Sequence, residues 1–186
     1  LIHASPKPFI DVYVFHQNSA QALFAGRNPY EAVIPNIYSD KSFYGDELVQ
    51  GENLTIGNPY PPLSIYLSSL GFLLGGDIRY SHLIAIVCAV ALMMYLRPNK
   101  ETLLAAYIFL FTPRAFFVLE QSWTEPLVVV LCVIVLWSVL NRPKWTPFAL
   151  GLLMASKQYM VLIVPFVFLL MPVERSFRAW KQIFAR

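Results

Sequence analysis

Long apolar runs alternate with short polar segments after residue 61, whereas the first part of the chain has only short, interrupted ones. The runs cover residues 78–96, 103–119 and 126–140, and polar or proline-containing segments bound each of them. A helix that crosses the hydrocarbon core of a bilayer needs about 20 mostly apolar residues. We therefore predict three membrane-spanning helices over these ranges, although the last is short.

Two further apolar segments carry polar residues and do not fit a simple span. Residues 62–76 are short for a crossing, and their serines make the segment amphipathic, as is typical of a helix at the membrane interface. Residues 146–171 are long enough, but Lys157 interrupts them, and an unpaired Lys at the bilayer centre costs about 2.5 kcal/mol or more. We expect two short helices, 146–156 and 159–171, that meet at an aqueous rim.

The first 61 residues are polar, aromatic and rich in proline. Apolar residues recur near helical spacing from about Phe9 to Ala25, which predicts one helix there. Gly26 supplies the stop, and the following Asn28 and Pro29 prevent the helix from continuing. The pattern from Tyr30 to Asn58 predicts an ordered but irregular loop.

The composition predicts that these helices belong to a membrane protein, and the distribution of charge predicts its orientation in the membrane. The chain is 57% apolar and 13% charged, whereas a soluble domain carries about a quarter charged residues. Residues 97–100, 142–144 and 174–186 hold eight of the 14 Lys and Arg, and such clusters mark cytoplasmic loops. The first loop, residues 120–125 and Lys157 then lie on the opposite side. The net charge of +3 reflects these clusters and does not indicate nucleic-acid binding.

These patterns together predict an all-α fold, a polytopic helical membrane protein with a large extracytoplasmic first loop. Residues 1–77 form this loop with its juxtamembrane helices, and residues 78–186 form the spans and a basic cytoplasmic tail. Cys88 and Cys132 lie inside apolar runs, so no disulfide is predicted. The chain opens at Leu1 without a signal peptide, and we expect it to be a piece of a longer protein with further spans.

Acidic residues collect on the expected extracytoplasmic face. Asp11 begins the first helix, where a carboxylate either satisfies free backbone N–H groups or serves in chemistry. Glu120 and Glu125 flank Trp123 in a short turn. Helix capping and solvation are the alternatives to a binding role for this pair.

Basic residues on the same face have two interpretations each. Arg114 lies inside an apolar stretch. The structural interpretation is that it extends toward the interface or pairs with Glu120. The functional interpretation is that it binds an anion such as a lipid phosphate. The same two interpretations apply to Lys157. His16 and His82 are isolated in the sequence, so we predict no metal site and identify no cofactor. Four acids of the first loop are the candidates for a divalent cation, with a solvated loop as the commoner alternative: Asp40, Asp46, Glu47 and Glu52.

Several short motifs, in this order, resemble the GT-C superfamily of integral-membrane glycosyltransferases. The first loop contains DVY at 11–13, LFAGRNPY at 23–30 and NPYPPL at 58–63. QSWTEP at 121–126 and SKQY at 156–159 look like later membrane-rim motifs of that group. The likeness covers most of the chain, and it is closest to the polyprenyl-phosphate-mannose-dependent mannosyltransferase-like branch. Many relatives carry a basic residue or His just before the Pro-Pro-Leu element, where this chain has tyrosine and proline.

The resemblance implies an enzyme that moves a sugar, a mannose-type hexose, from a polyprenyl-phosphate donor to an acceptor hydroxyl with inversion. The acceptor would be a glycan, a lipid or a protein on the extracytoplasmic side. In such enzymes an acid at the start of the first loop is the catalytic base, and Asp11 occupies that position. The base takes the proton of the acceptor hydroxyl as this attacks the anomeric carbon and the lipid phosphate leaves.

The remaining candidate residues are assigned to substrate binding. Cations near the leaving phosphate stabilise its charge, and Arg114 and Lys157 are the candidates for this role. Glu125 would position the acceptor. The complete predicted substrate-binding set contains six residues: Glu125, Glu120, Arg114, Lys157, His16 and Tyr60.

Two alternatives to a glycosyltransferase stay open. A non-catalytic transporter or assembly subunit of a cell-envelope glycan pathway would equally accommodate Arg114 and the interrupted segment 146–171. A lipid-handling enzyme of another chemistry, such as a ligase that moves a preassembled glycan, would differ only in its donor and product.

Overall fold

The computed structural model describes residues 1–38 and 43–170, and it shows a mostly helical chain, as the sequence predicts. The α-helices of these residues are α1 (Asp11–Phe24), α2 (Pro62–Gly75), α3 (Arg79–Leu96), α4 (Lys100–Phe111), α5 (Pro113–Glu120), α6 (Glu125–Asn141), α7 (Thr146–Ser156) and α8 (Val164–Leu170). The strands are β1 (Ile34–Pro35), β2 (Val49–Gln50) and β3 (Asn53–Leu54). Asp40, the end of the predicted helix 159–171 and the basic segment 174–186 lie outside the described residues.

Helix α1 lies within the predicted range of 9–25. It begins at Asp11, and it ends before Gly26, whose positive φ of 69° suits glycine. One face of α1 is buried through Phe15, His16 and Ser19. This face packs on the small sheet and on α2, so the start of the helix is held against the loop that follows it.

The segment 30–58, predicted to be an irregular loop, contains a three-stranded antiparallel sheet. The strand order is β1-β3-β2, with Leu54 opposite both Ile34 and Val49. Ile34 and Leu54 are buried with Phe15 in one apolar cluster. The prediction of irregular structure failed because two-residue strands carry no detectable alternation, and burial against α1 decides their pairing.

Helix α2 turns its polar side inward. Ser64, Ser68 and Ser69 are buried, whereas Leu73 and Leu74 are 65% and 67% exposed. A Cβ on the α2 residue Gly71 would come within 2.5 Å of the α3 backbone, so α2 and α3 are in close contact there. The sequence predicts an amphipathic interfacial helix over 62–76, and the buried face of this amphipathic helix is the serine face.

The predicted continuous helix over 103–119 is wrong. The chain forms α4 and α5 instead, with a bend of 49° between them. Thr112 is extended, with a ψ of 141°, and Pro113 starts the new helix. Proline has no N–H to donate and disfavours a helical conformation of the residue before it, so the helix breaks at this point.

Helices α6 and α7 form an antiparallel pair with an apolar core of Leu131, Val135 and Leu153. Helix α7 ends at Ser156, and Lys157 adopts an extended conformation. The predicted second helix over 159–171 is in part wrong, because Gln158–Ile163 is a 3-10 helix and α8 begins only at Val164.

Within the described residues, α3 is the one single helix long and apolar enough to cross a membrane. The bent pair α4 and α5 would count as a second span if the two form one crossing. Helix α6 is strongly apolar, but with 17 residues it is shorter than α3 and does not count as a span. Only 33% of the apolar window in α3 is buried, so most of this helix faces outward.

Candidate functional site

Asp11 is held in place by two hydrogen bonds to its carboxylate. The backbone N–H of Val12 donates to Oδ1 at 2.8 Å, and the Tyr44 hydroxyl donates to Oδ2 at 3.0 Å. The first bond is the helix-start interaction expected of an acid at this position, but the second joins residues 33 positions apart. Burial, followed by the charge of Asp11 and the hydrogen bond to it, raises the pKa of Tyr44 well above its usual value, so Tyr44 remains a donor.

His16 lies one helical turn beyond Asp11 and is fully buried. Its Nδ1 lies 3.0 Å from the Val12 carbonyl oxygen, and its Nε2 lies 3.0 Å from the Ser64 hydroxyl of α2. The Tyr60 ring contacts the imidazole, with ring centroids 4.4 Å apart. Burial lowers the pKa of His16 from 6.5 to about 4, so the imidazole is neutral at pH 7. The structure thus places His16 as a fully buried side chain in contact with Tyr60 and Ser64.

Glu125 and Lys157 form an ion pair across the α6–α7 hairpin. The Nζ–Oε1 distance is 2.6 Å, and the side chains are 44% and 12% exposed respectively. Lys157 Nζ also lies 5.4 Å from the centre of the Tyr159 ring. Burial alone lowers the pKa of Lys157, but the contacts with Glu125 and Tyr159 outweigh it and raise the pKa. Lys157 is therefore charged, and the break after α7 places its charge beside the start of α6.

Tyr60 connects the two ends of this site. Burial, together with the negative charges of Asp11 and Glu125, raises the pKa of Tyr60 to about 12. Both carboxylates contribute to this shift, so each lies within electrostatic range of the Tyr60 hydroxyl. We call Asp11, Tyr44, Tyr60, Glu125 and Lys157 the rim site.

Arg114 does not pair with Glu120, so that sequence-based alternative is wrong. Its guanidinium lies 4.9 Å from the centre of the Trp123 ring and 5.4 Å from that of Phe117. It lines a cavity of about 170 Å³ together with Glu125. These ring contacts orient the guanidinium without neutralising it, because an aromatic face attracts a cation but carries no net charge.

Glu120 lies apart from the rim site and has a structural role. Its carboxylate accepts hydrogen bonds from the Ser5 hydroxyl, at 2.6 Å, and from the side-chain amide of Gln121. These two bonds lower its pKa. Its backbone carbonyl accepts from Arg79 Nη1 at 3.4 Å. Glu120 thus joins the N-terminal segment to the end of α5, and the structure does not bring it to Asp11.

The sequence analysis missed a buried ion pair between Asp77 and Arg79. Arg79 is fully buried and lies 2.6 Å from the Asp77 carboxylate. Its Nη2 donates to the Ile2 carbonyl oxygen at 3.5 Å, and its guanidinium lies over the Tyr13 ring at 5.1 Å. The sequence did contain a signal for this pair, because its two opposite charges directly follow a Gly-Gly turn and precede an apolar run. This pair connects α1, the start of α3 and the end of α5.

Two buried histidines are connected to α2 by serines one turn apart. His16 contacts Ser64, and His82 Nε2 lies 3.4 Å from the Ser68 hydroxyl. Three buried polar atoms of the described residues have no hydrogen-bond partner: His82 Nδ1, Ser122 Oγ and Thr124 Oγ1. The interior between α1, α2 and α3 is therefore polar.

Among the described residues, no group of three or more His, Cys, Asp or Glu side chains is arranged to hold a metal ion. The three acids of the first loop that fall in this part, Asp46, Glu47 and Glu52, form no such group. Comparison with protein-family models, curated proteins and solved structures found no match to this chain. What the rim site does must therefore follow from its own geometry and charges.

Proposed function

We propose that the chain is part of a membrane glycosyltransferase that uses a polyprenyl-phosphate sugar donor, with Asp11 as the catalytic base. The observation that carries this proposal is a carboxylate and a cation that are each held in place, Asp11 by Tyr44 and Lys157 by Glu125. Asp11 is able to accept a proton, and Lys157 is able to attract a phosphate. Glycosyl transfer from a phosphate needs this combination, since a proton leaves the acceptor while negative charge develops on the phosphate.

The positions of the polar groups suit the two halves of the reaction. Asp11 uses one lone pair on each oxygen for Val12 and Tyr44, which leaves a lone pair free to receive a proton. The acceptor oxygen forms a bond to the anomeric carbon, the bond from that carbon to the phosphate oxygen breaks, and the acceptor proton moves to Asp11. Lys157 and Arg114 are the cations that would face the leaving polyprenyl phosphate.

The distribution of side chains supports a multi-pass membrane location, and the Lys and Arg clusters of the sequence support an extracytoplasmic rim site. Serines, a histidine and an arginine are buried among the helices, whereas large apolar residues such as Leu73, Val87 and Leu104 are more than half exposed. A water-facing surface would leave these apolar groups unburied at a cost of about 25 cal/mol per Å². In lipid the same arrangement is favourable, because polar groups find partners inside and apolar groups face the hydrocarbon.

The test is transfer of a radiolabelled sugar from polyprenyl-phosphate donors to a panel of glycan, lipid and peptide acceptors, with the full-length protein in proteoliposomes. We expect Asp11→Asn to lower the rate by at least about 100-fold, as removal of a general base does. Asp46→Asn is the matched control, because Asp46 is an exposed acid of the same loop. Both variants must retain the wild-type melting temperature.

Two results would count against the proposal in different ways. Full transfer by Asp11→Asn would show that another group is the base. Absence of transfer from every donor by folded wild-type protein would favour the transporter or assembly subunit. The interrupted α7 segment with its Lys157–Glu125 pair is the feature that a transport pathway would use, and substrate flux across the vesicles would then be the measurement.

A further inference from the structure

Aromatic rings form a continuous border beside Asp11. The Phe9 ring lies edge-on to Tyr38, with centroids 5.5 Å apart, and Tyr38 lies 4.2 Å from Phe43. Phe43 in turn lies 5.0 Å from Tyr44, whose hydroxyl donates to Asp11. We call Phe9, Tyr38, Phe43 and Tyr44 the aromatic border.

Two rings of the aromatic border are far more exposed than packing alone requires. Phe9 is 68% exposed and Phe43 is 60% exposed, although a buried apolar cluster formed by Phe15, Ile34 and Leu54 is available in the same loop. Isolated exposed rings are common on proteins, but contiguous apolar groups beside a polar centre mark a binding surface. The border therefore has the character of a ligand platform.

Charge identifies the kind of ligand. The polar centre of the platform is the Asp11 carboxylate, which only accepts hydrogen bonds. Residues 1–61 carry six Asp and Glu against three Lys and Arg, so this loop disfavours an anionic ligand on the platform, and the donor phosphate is assigned to Lys157 and Arg114. A fitting ligand is neutral, donates hydroxyl groups to a carboxylate and presents a C–H face to aromatic rings, whose negative faces attract polarised C–H groups. A saccharide ring has all three properties.

We propose that the acceptor is a neutral saccharide, one ring of which stacks on Phe9, Tyr38 and Phe43 and directs a hydroxyl to Asp11. This inference rests on the proposed function and selects the glycan among its three acceptor classes. The saccharide hydroxyl loses its proton to Asp11 as its oxygen bonds to the donor sugar, and the polyprenyl phosphate departs. Tyr44 is a positioning residue, because it acts through the carboxylate.

The test is saturation-transfer NMR on the full-length protein in nanodiscs free of glycoside detergents and without any donor. The probes are four neutral disaccharides: maltose, cellobiose, lactose and α-1,6-mannobiose. We expect saturation of the C–H protons of one sugar face for at least one of them. The double variant Phe9→Leu/Phe43→Leu should weaken this binding by at least about 10-fold, because leucine keeps the apolar area but removes the ring.

The matched control is Phe9→Tyr/Phe43→Tyr, which keeps both rings and should bind within about 2-fold of wild type. Equal binding by the leucine variant would overturn the proposal and leave a lipid-contacting role that needs only apolar area. Absence of saturation with all four disaccharides would also overturn it, and would favour a lipid or peptide acceptor. Since no donor is present, sugar binding without any transfer would count against the proposed function alone.

Discussion

The loop segment 1–61 and the helical body 62–170 differ in where their large apolar side chains lie, since most of the exposed ones belong to the body. The loop segment has a small apolar core of Phe15, Ile34 and Leu54. Helices α2 and α3 of the body bury serines, His82 and the Asp77–Arg79 pair, whereas large apolar residues of the same helices, such as Leu73 and Val87, are more than half exposed.

This difference is the one expected if the chain folds under two solvent conditions, as the proposed membrane location requires. In water, apolar burial is the main favourable term, and the loop segment follows that rule. In hydrocarbon, apolar side chains gain nothing by leaving the surface, and helices associate through close packing and polar contacts. The close approach at Gly71 and the serine–histidine contacts of α2 have this second character. Each of the following experiments tests whether the two regions differ as this interpretation requires.

The largest effect is expected at the buried ion pair of the body. Arg79→Met leaves the Asp77 carboxylate buried without its partner, and we expect a loss of about 3–5 kcal/mol in the free energy of unfolding. Denaturant unfolding in micelles measures this loss. The double variant Asp77→Leu/Arg79→Met should recover most of it, because no charge is then left unpaired. A loss below about 1 kcal/mol in the single variant would mean that water reaches this pair.

A matched pair of surface substitutions separates lipid-facing from water-facing residues. Val87 lies near the middle of α3 and is 57% exposed, and Val33 in the loop is 67% exposed. We expect Val87→Arg to cost about 2.5–3.5 kcal/mol of membrane insertion. Val33→Arg should stay within about 0.5 kcal/mol, as surface changes in water do. A glycosylation-based insertion assay measures the effect of Val87→Arg, and denaturant unfolding measures that of Val33→Arg. Equally small effects of both substitutions would mean that α3 lies in water.

The loop segment should show a pH dependence that originates at His16. Its pKa is about 4 in the folded protein against 6.5 without burial. The unfolded chain therefore binds the extra proton first as the pH falls below 6.5, so stability is complete above that pH and declines down to about 4. Between pH 7 and pH 5 we expect a loss of about 2 kcal/mol.

The control for this dependence is His16→Gln, which removes the titrating group but keeps a polar side chain beside Ser64. Its unfolding free energy should vary less between the two pH values, by about the amount that His16 contributes. Identical pH profiles for the variant and the wild type would show that His16 is hydrated in the folded protein.

The smallest effect is expected at the Glu125–Lys157 pair, which joins the start of α6 to the end of α7. Glu125 is 44% exposed, so solvent screens the attraction. We expect a coupling energy of about 1 kcal/mol or less from a double-mutant cycle with Glu125→Gln and Lys157→Met. A coupling above about 3 kcal/mol would mean that the pair is enclosed and shielded from solvent.

Much of the fold could be predicted from the sequence because its signals are local. Apolar runs bounded by prolines, glycines and charges indicated the helices, and Lys157 indicated the interruption after α7. Pro113 was a visible signal for the break between α4 and α5, but apolar continuity outweighed it in the prediction of one helix. The two-residue strands had no local signal, since burial against α1 holds them together.

The candidate site was predictable in part for the same reason. Asp11, Tyr60, Glu125 and Lys157 stood out by residue type and position, and the structure pairs Lys157 with Glu125. The partner of Asp11 did not stand out, because Tyr44 is an ordinary loop tyrosine until the sheet brings it to α1. Arg114 and Glu120 could not be assigned, because their partners depend on the direction in which α5 leaves the bend.

The sequence by itself determined which residues form helices, where charges interrupt them and which side chains are able to do acid–base chemistry. These properties depend on the residue and its near neighbours. Only the tertiary structure decided which polar groups are buried together, which apolar faces remain outside and which tyrosine holds Asp11. Those outcomes depend on contacts between residues far apart in the chain, such as Ser5 with Glu120. Local sequence patterns do not indicate which distant residues come into contact.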